Sequence, residues 1–133
     1  GVAEIKREGT DVTIVSFGKI IKEAYKAADE LEKEGISCEI IDLRTVRPMD
    51  RNAIVKSVKK TNRLVILEEA WPFGNVATEI TYLVQSEAFD YLDAPVIKIN
   101  TADTPAPYSP VLLAEWLPNS DSVVKAVKKV MYK

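Results

Sequence analysis

Apolar residues along the chain alternate between two periods, one of strands and one of helices. Residues 12–17, Val-Thr-Ile-Val-Ser-Phe, are β-branched and lie between Gly9 and Gly18, which predicts a strand. In residues 20–34, Ile21, Ala24, Tyr25, Ala28 and Leu31 recur at helical spacing, and Gly35 supplies the stop. A second strand covers residues 38–43. Asp50 is placed to cap a short helix whose buried stripe is Ile54, Val55 and Val58. The unbroken apolar run at residues 64–67 predicts a central parallel strand covered on both faces. Asn75 then caps a longer helix, with Val76, Ile80, Leu83 and Val84 inward, and residues 96–99 form the next strand. A Pro-rich loop at 104–110 leads to a short helix at 111–116, which Pro118 breaks. A last helix starts at Ser120 or Asp121 and buries Val123, Val127 and Val130; residues 4–8 add an edge strand. Strands alternating with helices at this spacing give one α/β domain over residues 1–133, with a mostly parallel sheet and helices on both faces.

Composition narrows the function classes. A length of 133 residues suits a single domain with a real core. A net charge of −2 and a pI near 5.3 give no reason to expect nucleic-acid binding. No apolar run approaches the roughly 20 residues that span a bilayer. The first residues are too polar for a signal peptide. They begin without Met and read as a strand already under way, which fits a domain excised from a longer chain. Cys38 is the one cysteine, so no internal disulfide exists; it fits a reducing compartment and reads as a core thiol, since no histidine is present to activate it.

Two strand-to-helix turns are dense in charge, Pro and aromatic groups: Asp42-Leu-Arg-Thr-Val-Arg-Pro-Met-Asp50 and Glu68-Glu-Ala-Trp-Pro-Phe-Gly-Asn75. Such turns are where α/β proteins place working surfaces. Glu68 and Glu69 sit where acid–base groups occur, but one carboxylate facing solvent and the other taking backbone N–H bonds is the preferred reading. Arg44 and Arg47 suit an anion at a helix start, though ion pairing with Asp42, Asp50 or a partner subunit is preferred. Trp71 and Phe73 either fold under their loop or serve as interface side chains, and both readings stay open. Tyr108 lies in a segment stiffened by three prolines, suited to presenting a rigid surface. The Ser16-Phe-Gly18 turn lacks the spacing of a phosphate loop. Lys125, Lys128, Lys129 and Lys133 complement the dipole of the last helix. One Cys and no His leave no metal set. The pattern is that of part of a larger enzyme whose chemistry lies elsewhere.

The order of these segments resembles the C-terminal domain of the transketolase-like, thiamine-diphosphate-dependent enzymes, and among them the beta subunits of pyruvate dehydrogenase E1 components. The residues that carry it include the 12–18 and 39–50 segments, Lys60-Thr-Asn-Arg63, Glu68 to Gly74, Ala77-Thr-Glu-Ile80, Phe89 to Pro95 and Asp103 to Tyr108. The resemblance covers essentially the whole chain. It implies a three-layer α/β/α sandwich with a mostly parallel five-stranded sheet. It also implies that thiamine diphosphate and Mg belong to the full E1, with no catalytic, cofactor or metal residue in this domain. The partners it implies are the E1 alpha subunit, a second E1 beta subunit and the peripheral subunit-binding domain of E2. By position, Asp93 and the chain end at Lys133 match the E2-docking groups, although the Lys133 ammonium opposes the attraction of the terminal carboxylate. Arg44, Arg47, Trp71, Phe73 and Tyr108 then face neighbouring subunits. The implied compartment is the cytoplasm of a bacterium or, in a eukaryote, the mitochondrial matrix. The same resemblance extends to a branched-chain 2-oxo acid dehydrogenase E1 beta subunit or a deoxyxylulose-phosphate synthase. The residues alone also allow a free-standing anion- or nucleotide-binding module using Ser16–Gly18 and Arg44.

Overall fold

Successive side chains of a strand point to opposite faces, so a run that is apolar at every position needs cover on both sides. The computed structural model describes residues 1–133. Strands β1 (Glu4–Arg7), β2 (Val12–Ser16), β3 (Cys38–Asp42), β4 (Leu64–Leu67) and β5 (Ile97–Ile99) form one sheet in the order β1-β3-β2-β4-β5. β1 runs antiparallel to β3 at one edge; every other pairing is parallel. The helices are α1 (Ile21–Glu32), α2 (Arg51–Thr61), α3 (Val76–Ala88), α4 (Pro110–Trp116) and α5 (Ser120–Val130), with a 3-10 turn at Phe89–Tyr91. Val12, Ile14, Ile40, Val65 and Leu67 pack on α1 and α5. Val15, Ile41, Leu64 and Ile66 pack on α2 and α3. The result is the expected α/β/α sandwich with a mostly parallel five-stranded sheet.

The helix boundaries follow local chemistry. Gly35, at φ +79°, closes α1: its N–H donates to the Glu32 carbonyl and the Ile36 N–H to the Leu31 carbonyl, both at 3.0 Å. Asp50 caps α2 by accepting the Ala53 N–H at 3.2 Å, while its second oxygen accepts the Ala3 N–H at 2.9 Å. Asn119 and Ser122 form a reciprocal capping box at the start of α5. Some expected details shift. β2 ends at Ser16 and β3 at Asp42, one residue early in each case. Val55 and Val76 are half-buried, because the inward stripe of α2 runs through Ile54, Ser57, Val58 and Thr61 and that of α3 through Ala77, Ile80, Leu83, Val84 and Ala88, which leaves each valine at a rim.

A polar cluster lies under α2. Glu39 interrupts the apolar run of β3 and is 1% exposed. Its carboxylate accepts from the Ser57 hydroxyl at 2.6 Å, from the Gly9 N–H at 3.2 Å and from the Lys60 ammonium. The Thr13 hydroxyl joins Ser57 at 2.6 Å and Thr61 at 2.7 Å. Gly9 fits because its backbone crosses so close to Cys38 that a Cβ would sit 2.2 Å from the Cys38 carbonyl carbon. Beside this cluster, burial pushes the Cys38 thiol up to about 12, so the core-thiol reading holds.

Burial opposes ionisation of Glu39, but hydrogen bonds from Lys60, Ser57 and Gly9 outweigh it and hold its carboxyl below the usual range. A depressed folded value means its stabilisation is present above the unfolded value, about 4.3, and is lost as pH falls through the folded value. Glu39→Ala is therefore expected to lower unfolding free energy by about 3 kcal/mol at pH 7, measured by urea denaturation. The gap between this variant and the parent narrows below about pH 4.

Candidate functional site

The parallel strands send their carboxyl ends into four loops at one edge of the sheet, and most of the candidate residues gather there. Glu68 follows β4 directly and is 1% exposed. Its N–H donates to the Ile99 carbonyl at 3.1 Å, which extends the β4–β5 pairing by one bond. One carboxylate oxygen accepts the Ala77 N–H at 3.2 Å and the other accepts Asn100 Nδ2 at 2.7 Å. Glu69 faces solvent. The pair thus follows the preferred structural reading: both oxygens of Glu68 are engaged in holding α3 and the segment after β5. This corrects the expected role of Asn75. It occupies the N-cap position without capping, and its Nδ2 donates instead to the carbonyls of Trp71 (2.8 Å) and Phe73 (3.1 Å). Glu68, from nine residues upstream, satisfies the helix start in its place.

The loop so folded holds its aromatics outward. Trp71 is 48% exposed, Phe73 88%, and Tyr108 fully exposed, so none is folded under its loop. The Trp71 indole donates to the Thr104 carbonyl at 2.9 Å, and the Trp116 indole donates to the same oxygen at 2.8 Å. The Ala102 N–H meets the Trp116 carbonyl at 3.0 Å and closes the base of the 103–115 arm. Lys98 Nζ donates to the Pro72 carbonyl (2.7 Å) and Thr78 (3.0 Å), and the Thr101 N–H to the Ala70 carbonyl (3.0 Å).

On the β3 side of this edge, Arg44 is exposed at φ +61°. The expected ion pairs with Asp42 and Asp50 do not form: Asp42 accepts the Arg44 N–H at 2.9 Å, Asp50 caps α2, and the Arg44 guanidinium instead lies 4.0 Å from Glu4. Arg47 makes no ion pair and lines a cavity of about 320 Å³ with Val46, Met49, Arg51, Val76 and Glu79. A phosphate would need free N–H groups at a helix start. Here the Asp50 and Glu68 carboxylates already occupy the starts of α2 and α3, and the Ser16 hydroxyl donates to the Leu67 carbonyl at 2.8 Å. These residues do not fit a diphosphate. No three Cys, Asp or Glu side chains converge in a way that could hold a metal ion. No helix is long and apolar enough to cross a membrane.

Asp93 and Lys133 lie together at the opposite, amino edge. The Asp93 N–H donates to the Asn62 carbonyl at 2.8 Å, just before β4. The Tyr132 hydroxyl donates to the Asp93 carbonyl at 3.2 Å, which brings the chain end to the Asp93 turn. The exposed Asp93 carboxylate is 3.8 Å from Arg63. Tyr132 adopts φ +59°, and the Lys133 N–H donates to the Lys128 carbonyl at 2.8 Å, so the last residues are held by a helix-closing turn. Sequence reading missed Tyr132, Trp116 and Thr104. A second Trp just beyond a Pro-rich loop was a usable signal for Trp116; nothing local marks the other two.

A model of the transketolase C-terminal domain matches residues 1–123. Over 133 residues the chain is 54% identical to the pyruvate dehydrogenase E1 component subunit beta of Rhizobium meliloti, covering 100% of this chain and 29% of that one. Over 132 residues it is 50% identical to the protein of the same name from Rickettsia felis, covering 99% of this chain and 40% of that one. A mitochondrial beta-2 subunit from Oryza sativa is 49% identical over 133 residues, covering 100% and 35%. The chain thus spans well under half the length of these relatives. Among solved structures, a split-gene transketolase described as an inactive beta4 tetramer superposes with a TM-score of 0.85 at 30% identity, covering 98% of this chain and 41% of that one.

Because Phe73 and Tyr108 touch little, Phe73→Ser and Tyr108→Ser are expected to change unfolding free energy by less than about 0.5 kcal/mol. Glu68→Ala strands the α3 start and Asn100 and is expected to cost about 2–3 kcal/mol. Urea unfolding of the three variants checks both statements.

Proposed function

The chain belongs to the transketolase C-terminal domain family, and from that premise we propose that it is the C-terminal domain of the beta subunit of a pyruvate dehydrogenase E1 component. The observation that carries this reading is identity of about half across essentially the whole chain to proteins of that name in bacteria and mitochondria. The full E1 would decarboxylate pyruvate oxidatively on thiamine diphosphate with Mg and pass the acetyl unit to a lipoyl group of E2, in a bacterial cytoplasm or a mitochondrial matrix. This domain would contribute assembly and docking surfaces. Two physical features support that division. The starts of α2 and α3 hold the domain's own carboxylates, the first N–H groups of α1 donate to the Gly18, Lys19 and Ile20 carbonyls, and the exposed aromatics sit on a rigid loop frame.

Arg44, Arg47, Trp71, Phe73 and Tyr108 are assigned to contacts with the E1 alpha subunit and a second beta subunit. Asp93, with the chain end at Lys133, is assigned to the peripheral subunit-binding domain of E2. A carboxylate in a turn fixed by Asn62, Tyr132 and Pro95 meets a cation with little ordering cost. Arg63 at 3.8 Å already holds a positive charge beside it, so a partner cation would compete with or join that pair.

Titration of the isolated chain with thiamine diphosphate and Mg in a calorimeter is expected to give no heat of binding. A dissociation constant in the micromolar range would refute the assembly-only role. In intact E1, Asp93→Ala is expected to weaken binding of the E2 subunit-binding domain by about 2 kcal/mol or more. Unchanged affinity in a surface-binding assay removes Asp93 from the docking site.

A further inference from the structure

Charge is segregated along this chain. Residues 64–124 hold nine carboxylates and a single basic residue, Lys98, whereas the remaining residues carry 17 of the 18 Lys and Arg. Lys98 is occupied inside the fold by Pro72 and Thr78. Of the nine carboxylates only Glu68 is buried.

Three exposed carboxylates lie in the segments that the two indoles tie together. Glu69 lies two residues before Trp71, Asp103 precedes Thr104, and Glu115 precedes Trp116. Because both indoles reach the Thr104 carbonyl, at 2.9 and 2.8 Å, the three segments converge on one patch. None of these carboxylates forms an ion pair within the chain. The same segments carry Phe73, Tyr108 and Leu112, exposed by 88%, 103% and 53%. Between the arm and Trp116 runs a groove of about 360 Å³ lined by Pro105, Pro107, Leu112 and Glu115. An exposed apolar surface whose segments also carry unpaired negative charge is complementary to a segment that is apolar on one side and cationic on its rim. A second copy presenting the same face would set carboxylate against carboxylate, which argues against two-fold self-pairing.

We propose that the face formed by Trp71, Phe73, Tyr108, Leu112 and the carboxylates of Asp103 and Glu115 docks a cationic amphipathic helix of a partner polypeptide. This rests on the reading of the face as a subunit interface and names the chemistry of what it receives. The apolar stripe of that helix would cover Phe73 and Leu112, with Lys or Arg on its flanks meeting Asp103 and Glu115.

The test uses a peptide of about 18 residues, Leu on one helical face and Lys on the other, long enough for five turns. Its binding to the chain is followed by calorimetry and by the fluorescence of Trp71 and Trp116. Saturable binding is expected, weakened about tenfold or more by the pair Asp103→Lys and Glu115→Lys and equally by the pair Phe73→Ser and Tyr108→Ser. A peptide with Glu in place of Lys is expected not to bind. Equal binding of the two peptides, or binding indifferent to both double variants, overturns the proposal. So does a chain dimer that Phe73→Ser with Tyr108→Ser abolishes, since the occupant is then a second copy. Co-expression with the partner subunits separates the two levels. If the Ser pair abolishes assembly and the Lys pair does not, the interface reading stands and the cationic partner falls. If neither pair alters assembly, the interface reading falls and takes the proposal with it.

Discussion

The buried carboxylate of Glu68 sets the geometry of the carboxyl edge of the sheet. A carboxylate removed from water costs several kcal/mol unless its oxygens are satisfied. Glu68 meets that demand with the first turn of α3 on one oxygen and Asn100 on the other, and it sits at the favourable end of the α3 dipole. The two ends of the β4–α3 loop are thereby fixed to each other and to the segment that follows β5. Asn75, relieved of capping, holds the Trp71 and Phe73 carbonyls, so the aromatics stand on a frame that is rigid before any partner arrives. The same carboxylate fills the place an incoming anion would take.

Elements whose cause is local were readable from residue order. Residues 64–67 had to be a covered strand because every position is apolar, and Gly35 and Asp50 mark their helix ends by properties of single side chains. What escaped reading depends on partners far along the chain. Whether Glu68 or Glu69 turns inward is decided by Asn100, 32 residues on. Glu39, a charge within an apolar strand, is intelligible only with Ser57 and Lys60 above it on α2. For Arg44 the candidate carboxylates within its own turn are Asp42 and Asp50, but both are committed to backbone N–H groups, and the guanidinium lies 4.0 Å from Glu4 of the edge strand β1. Competition for a carboxylate between backbone and side chains cannot be ranked from spacing alone.

The candidate residues separate into two groups at opposite ends of the strands. Asp93 and Lys133 share the amino edge, joined through the Tyr132 hydroxyl, while Trp71, Phe73, Tyr108 and the arginines lie at the carboxyl edge. In the proposed assembly the two surfaces do not compete, so one can be filled permanently by subunits while the other exchanges partners. The core between them, packed on both faces of the sheet, keeps their separation constant.

The paired indoles on the Thr104 oxygen carry an evolutionary corollary. Both lone pairs of that carbonyl are in use, so either ring can be lost while the other still tethers the arm. Such redundancy buffers the loop against single substitutions and lets one tryptophan drift toward a new contact without collapse. The acceptor is a main-chain atom, which no side-chain replacement at position 104 removes. The arm is therefore a place where recognition can be rewritten one residue at a time.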